Sequence, residues 1–259
     1  MRIVILPTEV EASNFAAEFI TEFINNNKNP VVGLATGGSV VMTYEALISK
    51  HQLGQVSFQE TTTFNLDEYL GLAPNHAQSY RSYMNRTLFD HIDIDLSNTY
   101  VPECFDENFD SACSSYENEI NKRGGIGLQL LGVGSNGHIG FNEPTSSFQS
   151  RTRVKTLTKS TLTQNARFFE ASENQPSLAI TMGIGTIMEA ENILLIGLGK
   201  HKSKAVADVI EGPLSAFCPG SILQNHPNVT IVIDKPAASK LKLYDYYIQT
   251  EKMKSKYNC

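Results

Sequence analysis

The chain has 259 residues, of which 41% are hydrophobic, and a formal net charge of −6 at pH 7. This length suits one α/β domain, although a typical domain has ~150 residues. It also allows a large core that needs no disulfide or metal ion for stability. The acidic balance argues against a nucleic-acid-binding protein, and no apolar run approaches the ~20 residues of a membrane span.

The start of the chain and its cysteines bear on the cellular compartment. Residues 1–7 form a short strand-like run, without the long apolar segment and cleavage pattern of a signal peptide. The four cysteines are scattered and form no C-x-x-C pair. This pattern favours free thiols in a reducing compartment over a disulfide framework or a zinc site. The sequence therefore predicts a cytoplasmic protein.

Strand-like apolar runs alternate with helix-like periodic segments along the chain. The predicted strands cover residues 31–34, 61–66, 126–131, 192–198 and 229–233. The predicted helices cover residues 40–51, 79–89, 111–122, 202–210 and 236–247. This alternation predicts a Rossmann-like, doubly wound α/β fold, in which a largely parallel sheet carries helices on both faces. We expect one domain over residues 1–259.

Residues 146–175 are the longest stretch without an obvious strand, and they are rich in Ser, Thr, Asn and charge. Long segments of this kind often act as lids, so the stretch is a candidate lid beside the functional site. An ordinary surface helix with loops fits the same composition.

The first motif with chemical potential is GLATGGS at residues 33–39, where a predicted strand runs into a predicted helix. Backbone N–H groups at a helix N-terminus are unpaired and favour an anion. No lysine follows as a Walker motif requires. The glycines and hydroxyls predict a phosphate site at Thr36, Gly37, Gly38 and Ser39, although a tight turn with Ser39 as the helix N-cap fits the same residues.

The second motif, TFNLDEY at residues 63–69, places Asp67 and Glu68 at the end of the next predicted strand. In open α/β sheets, ligands bind beyond the carboxyl ends of the strands. A carboxylate buried there has a raised pKa and can act as a general base. Helix-capping or solvated acids are the alternative interpretation.

The third motif, GVGSNGHIGFNEP at residues 132–144, follows another predicted strand. It contains the G-x-G-x-x-G of dinucleotide-binding proteins, but Pro144 disfavours the helix that this fingerprint requires. The stretch 151–160 also lacks the acidic residue expected ~20 positions further on. His138 and Glu143 instead form a candidate base and orienting partner. No second His or Cys stands at metal-ligand spacing, so no metal site is expected.

Two cations, Arg167 in NARFF and Lys202 in GKHKS, are candidates for completing a phosphate pocket. Arginine offers forked hydrogen bonds to a phosphate, and lysine offers a point charge. From their chemistry alone both are surface cations of an acidic protein.

Together the motifs resemble the glucosamine-6-phosphate deaminases of the aldose–ketose isomerising type. The resemblance spans nearly the whole chain, and GHIGFNEP is its most specific part. Related 6-phosphogluconolactonases share the fold and a G-H motif, but they depart from this pattern after the histidine. The segments that carry the resemblance are GLATGGS at 33–39, TFNLDEY at 63–69, GHIGFNEP at 137–144, SRTRVKTLT at 150–158 and NARFF at 165–169.

This resemblance implies a conversion of α-D-glucosamine 6-phosphate and water to fructose 6-phosphate and ammonia, without a cofactor, in amino-sugar catabolism. Carried over by position, Asp67 is similar to the family's general base, which moves a proton between C2 and C1. His138 is similar to the acid/base that opens the sugar ring, and Glu143 and Asn136 match its partners. The residues similar to the family's phosphate-binding group are Gly37, Gly38, Ser39, Arg167 and Lys202.

Two features bear on how far the resemblance extends. Asn136 stands where the best-described members carry Asp, so a carboxylate-dependent part of the pH profile is expected to be missing. Some members are hexamers activated by N-acetylglucosamine 6-phosphate, and Ile248 stands where an aromatic residue of that activator site is expected. Activation, and the choice between a hexamer and a monomer, are therefore left open. Residues similar to the rest of the activator site are Ser146, Arg153, Lys155 and Thr156.

Two rival functions fit part of the same pattern. A sugar-phosphate lactonase or isomerase would keep the phosphate loop and His138 but would not need Asp67 as a base. A non-enzymatic sugar-phosphate sensor would keep the pocket without the chemistry, but such proteins usually carry a DNA-binding segment, and none is visible here. We expect a small sugar phosphate as the partner, and neither a nucleic acid nor a membrane.

Overall fold

The computed structural model describes residues 1–104, 108–166, 169 and 175–257. Ten strands are defined within these ranges: β1 (Arg2–Leu6), β2 (Val31–Leu34), β3 (Thr62–Asn65), β4 (Asp67–Tyr69), β5 (Thr99–Tyr100), β6 (Leu128–Gly132), β7 (Arg153–Thr156), β8 (Leu178–Thr181), β9 (Asn192–Gly197) and β10 (Val229–Asp234). The helices defined there are α1 (Glu9–Asn26), α2 (Val41–Gln52), α3 (Tyr80–Thr87), α4 (Phe109–Lys122), α5 (Lys159–Asn165), α6 (Ile184–Met188), α7 (Ser203–Glu211) and α8 (Tyr244–Tyr257).

The main sheet has seven strands within the described ranges, in the order β1-β10-β9-β6-β2-β3-β5, and every neighbouring pair is parallel. The chain leaves β2 towards β3 on one side and leaves β6 towards β9 on the other, so the winding direction reverses between β2 and β6. At such a reversal the loops after the two strands separate and open a crevice. The predicted parallel sheet is confirmed, and its crevice lies at the ends of two strands that carry motifs.

Helices cover both faces of this sheet, as the doubly wound prediction requires. Leu34 packs with Ile20 of α1 and Leu47 of α2 on one face. Phe64 points to the other face, where its ring meets Tyr116 of α4 edge-on with 5.7 Å between centroids. Because side chains alternate along a strand, continuous apolar runs such as β2 contribute to both interfaces.

A second, smaller sheet stands beside the first, with antiparallel order β4-β8-β7. Leu66 joins the two sheets: its N–H donates to Leu34 O at 3.1 Å, and its carbonyl accepts from Met182 N at 2.6 Å. Residues 146–175, which show no obvious strand in the sequence, contain β7. Its sequence RVKT carries two cations on an edge strand, which conceals the apolar signal of a strand.

Other elements also differ from the prediction, among them β5, β8, α5 and α6, which were not predicted. Residues 236–247 do not form one helix: a 3-10 turn, Ala237–Lys240, ends before α8 begins at Tyr244. The Glu211 carboxylate accepts hydrogen bonds from Lys242 N at 2.8 Å and Leu243 N at 2.9 Å, which stabilises the break. Helix α1 was not assigned from the sequence, although the Thr8 hydroxyl caps it by accepting from Glu11 N.

The remaining global features concern membranes and thiols. Across the described residues, no helix combines the length and apolar character needed to cross a membrane. Cys104, Cys113 and Cys218 are free thiols, as predicted. Cys259 lies outside the described residues.

Candidate active site

A cavity of about 160 Å³ lies at the carboxyl ends of β2 and β6, where the winding direction reverses. It collects residues from all three sequence motifs and from the GKHKS segment. The predicted site residues that line it are Thr36, Gly37, Gly38, Ser39, Asp67, His138 and Lys202. The structure therefore brings most of the predicted phosphate and catalytic residues into one pocket.

The loop after β2 presents backbone amides to this pocket. A 3-10 turn, Gly38–Val40, leads into α2, and the side chain of Ser39 caps neither of these helical segments. Among the described residues, the N–H groups of residues 36–39 donate to no other protein group. Unpaired amides at a helix N-terminus are an anion site, and this observation favours the phosphate interpretation of the motif over the plain cap.

Lys202 reaches the pocket from the loop after β9, at the end of a 3-10 turn, Lys200–Lys202. A buried carboxylate at the end of β10 fixes that loop: Asp234 accepts from Gly199 N at 3.0 and 3.1 Å and from Ala237 N at 2.9 Å. Asp234 was missed in the sequence, although a carboxylate at the carboxyl end of a strand is a recognisable signal. Arg167 lies outside the described residues.

Asp67 is the buried acid of the pocket, with 5% of its surface exposed. Burial is the main cause that raises its pKa to about 8, and the neighbouring Glu68 carboxyl adds to the rise. The nearby Phe141 N–H, which donates to Thr181 Oγ1 at 3.0 Å, opposes the rise only in part. Glycine at position 140 brings the loop backbone against this acid, since a β-carbon there would lie 3.5 Å from Asp67 Oδ2. A carboxyl with such a pKa can exchange protons near neutral pH.

Glu68 is equally buried but has a structural role. Its carboxylate accepts from the N–H groups of Tyr69 at 2.8 Å, Tyr80 at 2.8 Å and Arg81 at 3.0 Å. It thereby caps the N-terminus of α3, where a negative charge is favourable. Burial raises its pKa, and the amides of Tyr80 and Arg81 oppose the rise. The alternative of a capping acid thus describes Glu68, whereas Asp67 faces the pocket.

His138 projects from the loop after β6 and lies within ion-pair distance of Glu143. His138 Nδ1 is 3.3 Å from Glu143 Oε2, and the two atoms form no hydrogen bond. Asn136 Nδ2 donates to Glu143 Oε2 at 2.8 Å, and Asn136 Oδ1 accepts from the His138 backbone N–H at 3.3 Å. Asn136 therefore supports the carboxylate and the loop backbone instead of contacting the imidazole ring. A β-carbon at position 134 would lie 2.3 Å from the His138 ring, so glycine at this position leaves room for the ring where it lies.

Glu143 is held ionised by the hydrogen bonds around it. Burial alone would raise its pKa, but the neighbouring His138 and the hydrogen bonds from Thr161 and Asn136 outweigh burial and lower it to about 2. Thr158 contributes its hydroxyl at 3.1 Å and its N–H at 3.3 Å. A carboxylate therefore stays charged beside the imidazole of His138.

Several site residues were not found from the sequence. Thr158 and Thr161 lie at the start of α5, and the T-x-x-T spacing of a helix cap was their only signal. Tyr80 and Phe141 form an aromatic wall of the pocket, with ring centroids 6.0 Å apart and nearly parallel planes. Neither aromatic residue carries a sequence signal that separates it from a core residue.

The structure places the predicted activator residues outside the pocket. Arg153, Lys155 and Thr156 lie on the edge strand β7, and Ser146 is buried. Arg153 Nη1 donates to Asn142 Oδ1 at 2.9 Å, so β7 is connected to the loop that carries His138. Lys155 is half-buried and Thr156 is exposed.

The G-x-G-x-x-G of the third motif does not open a helix. After Gly137 the chain forms a short bridge between Ile139 and Asn142, which is incompatible with a dinucleotide fingerprint. Among the described side chains, no group of three or more His, Cys, Asp or Glu residues is arranged to hold a metal ion.

Comparisons with known proteins agree with this geometry. The profile of the family described as glucosamine-6-phosphate isomerases/6-phosphogluconolactonase matches residues 8–232. Glucosamine-6-phosphate deaminase of Shewanella woodyi is 53% identical over 251 residues, which cover 97% of this chain and 95% of the relative. The deaminase of Colwellia psychrerythraea is 49% identical over 259 residues, covering 100% and 97% of the two chains.

Solved structures extend the comparison. A structure described as a monomeric glucosamine-6-phosphate deaminase is 44% identical and covers 92% of this chain and 99% of its own, with a TM-score of 0.90. A 6-phosphogluconolactonase from Trypanosoma cruzi is 19% identical and covers 93% and 97% of the two chains, with a TM-score of 0.75. The second likeness shows a shared fold alone.

Proposed function

The chain belongs to the family of glucosamine-6-phosphate isomerases and 6-phosphogluconolactonases, and we propose that it is a glucosamine-6-phosphate deaminase. It converts α-D-glucosamine 6-phosphate and water to fructose 6-phosphate and ammonia, without an added cofactor. The observation that carries the proposal is the buried Asp67 carboxyl, whose pKa is raised to about 8, in one pocket with His138 and a loop of unpaired amides. A lactonase has no need of such a base.

The phosphate of the substrate binds at the end of β2. The N–H groups of residues 37–39 and the hydroxyls of Thr36 and Ser39 surround the phosphate oxygens, and Lys202 contributes a positive charge from the opposite loop. The resemblance adds Arg167 to this group. Fixing the phosphate end aligns the reacting carbons with the catalytic side chains, which turns binding energy into orientation.

Ring opening is the first chemical step. The C2 proton of the amino sugar becomes acidic only when C1 is a free aldehyde, so the pyranose must open. His138 takes the proton of the C1 hydroxyl and delivers a proton to the ring oxygen as the bond between C1 and that oxygen breaks, which leaves the aldehyde at C1. Glu143 stays ionised beside the imidazole and stabilises its protonated form, and Asn136 holds Glu143 in place.

Proton transfer between C2 and C1 follows. Asp67 in its carboxylate form takes the proton from C2 and leaves an enolamine, and the same carboxyl returns a proton to C1. The product carries an imine at C2, which water hydrolyses to the ketone with release of ammonia. Burial gives Asp67 a basicity suited to both halves of this transfer.

The direct test is a stoichiometric assay with glucosamine 6-phosphate as the sole substrate. We expect ammonia and fructose 6-phosphate in equal amounts, with no cofactor or metal added. Hydrolysis of 6-phosphogluconolactone in place of this reaction would assign the chain to the lactonases. Tight binding of glucosamine 6-phosphate without turnover would instead point to a sensor.

Four predictions have yet to be tested: the activator site, the oligomeric state, the cytoplasmic location and the lid over residues 146–175. Arg153 and Lys155 lie on one face of β7, because residues two apart on a strand point the same way. A titration with N-acetylglucosamine 6-phosphate, with velocity measured against substrate, tests the activator site. Hyperbolic kinetics that the compound leaves unchanged would exclude it. The mass in solution then decides between a hexamer and a monomer.

A further inference from the structure

We infer that Tyr83, with Tyr44 behind it, is a positioning residue of the phosphate loop. The two phenol hydroxyls hold two alternate loop carbonyls, those of Ala35 and Gly37, away from the pocket, which turns the following N–H groups towards the phosphate. This inference rests on the proposed function, because it takes the loop to bind the phosphate of the substrate. Neither tyrosine belongs to a sequence motif of the pocket.

The contact of Tyr83 crosses from α3 to the phosphate loop. Its hydroxyl donates to Gly37 O at 3.2 Å, and its side chain is half-buried. The same carbonyl accepts only a long hydrogen bond, 3.4 Å, from Val40 N within the turn. Gly37 lines the pocket whereas Tyr83 does not, so the carbonyl points from the loop towards the protein interior.

The second contact repeats this arrangement two peptide units earlier. The Tyr44 hydroxyl, on α2, donates to Ala35 O, and the Tyr44 side chain is fully buried. Tyr44 also lies outside the pocket lining. Two helices therefore each contribute one phenol to the buried side of the loop.

Because a peptide unit is planar, the direction of each fixed carbonyl also determines the direction of the N–H group in the same unit. The carbonyl and the N–H of a trans peptide unit point in opposite directions, and the peptide bonds of this loop are trans. With the carbonyls of Ala35 and Gly37 fixed on the buried side, the N–H groups of Thr36 and Gly38 face the pocket. These amides have no other protein partner among the described residues, so the phenols set the direction in which they point.

Tyr83 also links the phosphate loop to the strand of the proposed base. Glu68 of β4 accepts from two N–H groups at the start of α3, and Tyr83 lies on the next turn of that helix. The strand that carries Asp67 and the loop that binds the phosphate are therefore both hydrogen-bonded to helix α3.

The test is Tyr83→Phe, which removes the hydroxyl and keeps the ring. We expect KM for glucosamine 6-phosphate and Ki for inorganic phosphate to rise together by about threefold to tenfold, the loss of one ordinary hydrogen bond. We expect kcat to stay within about twofold, since the amides hold the phosphate equally before and during the reaction. Tyr100→Phe is the matched control: its hydroxyl accepts from Arg123, away from the pocket, and should leave both constants unchanged.

Other outcomes are equally decisive. Unchanged KM and Ki, or a fall in kcat at constant KM, would overturn the positioning role. If Tyr83→Phe does not fold, Tyr44→Phe tests the peptide unit between Ala35 and Thr36 with the same expected rise in Ki, and an unchanged Ki there would overturn the inference. If the wild-type chain turns over no glucosamine 6-phosphate but still binds inorganic phosphate more tightly than Tyr83→Phe, the proposed function fails while the positioning role stands.

Discussion

Replacing Asp67 with Asn separates the proposed chemistry from simple packing, because the change should damage activity while improving stability at high pH. A carboxyl with a pKa of about 8 in the folded chain, compared with 3.8 in the unfolded chain, holds its proton more tightly when folded. Its contribution to stability is therefore fully present below about pH 4 and is lost as the pH rises through about 8. At 1.36 kcal/mol per pH unit, the loss is on the order of 5 kcal/mol.

Asparagine cannot titrate, so Asp67→Asn removes this loss. At pH 5 the variant should be no more stable than the wild type, since its extra N–H group lacks a partner, which costs about 1–3 kcal/mol. At pH 9 it should be the more stable protein. Turnover should fall by at least about 100-fold, the low end for a general base. In the wild type, kcat/KM should rise with pH to a plateau above about pH 8.

The assay is denaturant unfolding of both proteins from pH 5 to pH 9, with ammonia release measured over the same range. Asp90→Asn serves as the control, because Asp90 is an exposed carboxylate in the turn after α3. Parallel stability curves for Asp67→Asn and wild type would show that the pKa of Asp67 is not raised. A loss of turnover below about tenfold would exclude Asp67 as the general base.

Three further predictions concern the rest of the site. Glu143→Gln should lower kcat by about tenfold to 100-fold, the worth of a hydrogen bond to a charged group; it should also flatten the fall in stability as the pH drops towards about 2, where Glu143 gains its proton. An unchanged kcat would contradict the orienting role. Asp234→Asn should raise KM by about threefold to tenfold, because the loop that carries Lys202 loses a charge-assisted anchor; an unchanged KM would refute that. Dialysis against a chelator should leave turnover intact, and a loss restored by a divalent metal would contradict the cofactor-independent mechanism.

The sequence was sufficient to predict five strands of the main sheet, β2, β3, β6, β9 and β10, because central strands of a parallel sheet are buried on both faces. Continuous apolar runs such as β9 and β10 are typical of central parallel strands. The first and third motifs lie at the ends of two other such strands, β2 and β6. The same rule placed Thr36 and His138 at one crevice before their contacts were known. Asp67 followed from the third strand end, although the structure assigns it to β4 of the small sheet.

The small sheet was harder to predict, for a physical reason. Its strand β4 has three residues and its edge strand β7 alternates cations with other residues, so neither gives a clear apolar period. The contacts of Glu143 with Thr158 and Thr161 join residues 15 and 18 positions apart through this region. Such contacts depend on tertiary packing and leave no local pattern. The role of Asn136 was likewise visible only in three dimensions, because it acts on Glu143.

Asp67 and Glu68 are adjacent acids with opposite tasks, and the period of a β-strand separates them. Successive side chains of β4 point to opposite faces, so one carboxyl faces the pocket and the other caps α3. Their charges still interact, since Glu68 raises the pKa of Asp67. Glu68→Gln should therefore move the rise of kcat/KM to lower pH while lowering the melting temperature, because α3 loses its charged cap.

In Glu68→Gln, the shift of the pH profile comes from the lost charge beside Asp67, whereas the lower melting temperature comes from the lost cap of α3. The two effects can therefore be measured separately. A structural change alone would lower the melting temperature and leave the pH profile in place. An unchanged pH profile would mean that the charge on Glu68 does not act on Asp67, and the proposed tuning of the base would then depend on burial alone. Adding Asp67→Asn to Glu68→Gln provides the control, because the shift of the profile requires a carboxyl at position 67 and should disappear in the double variant.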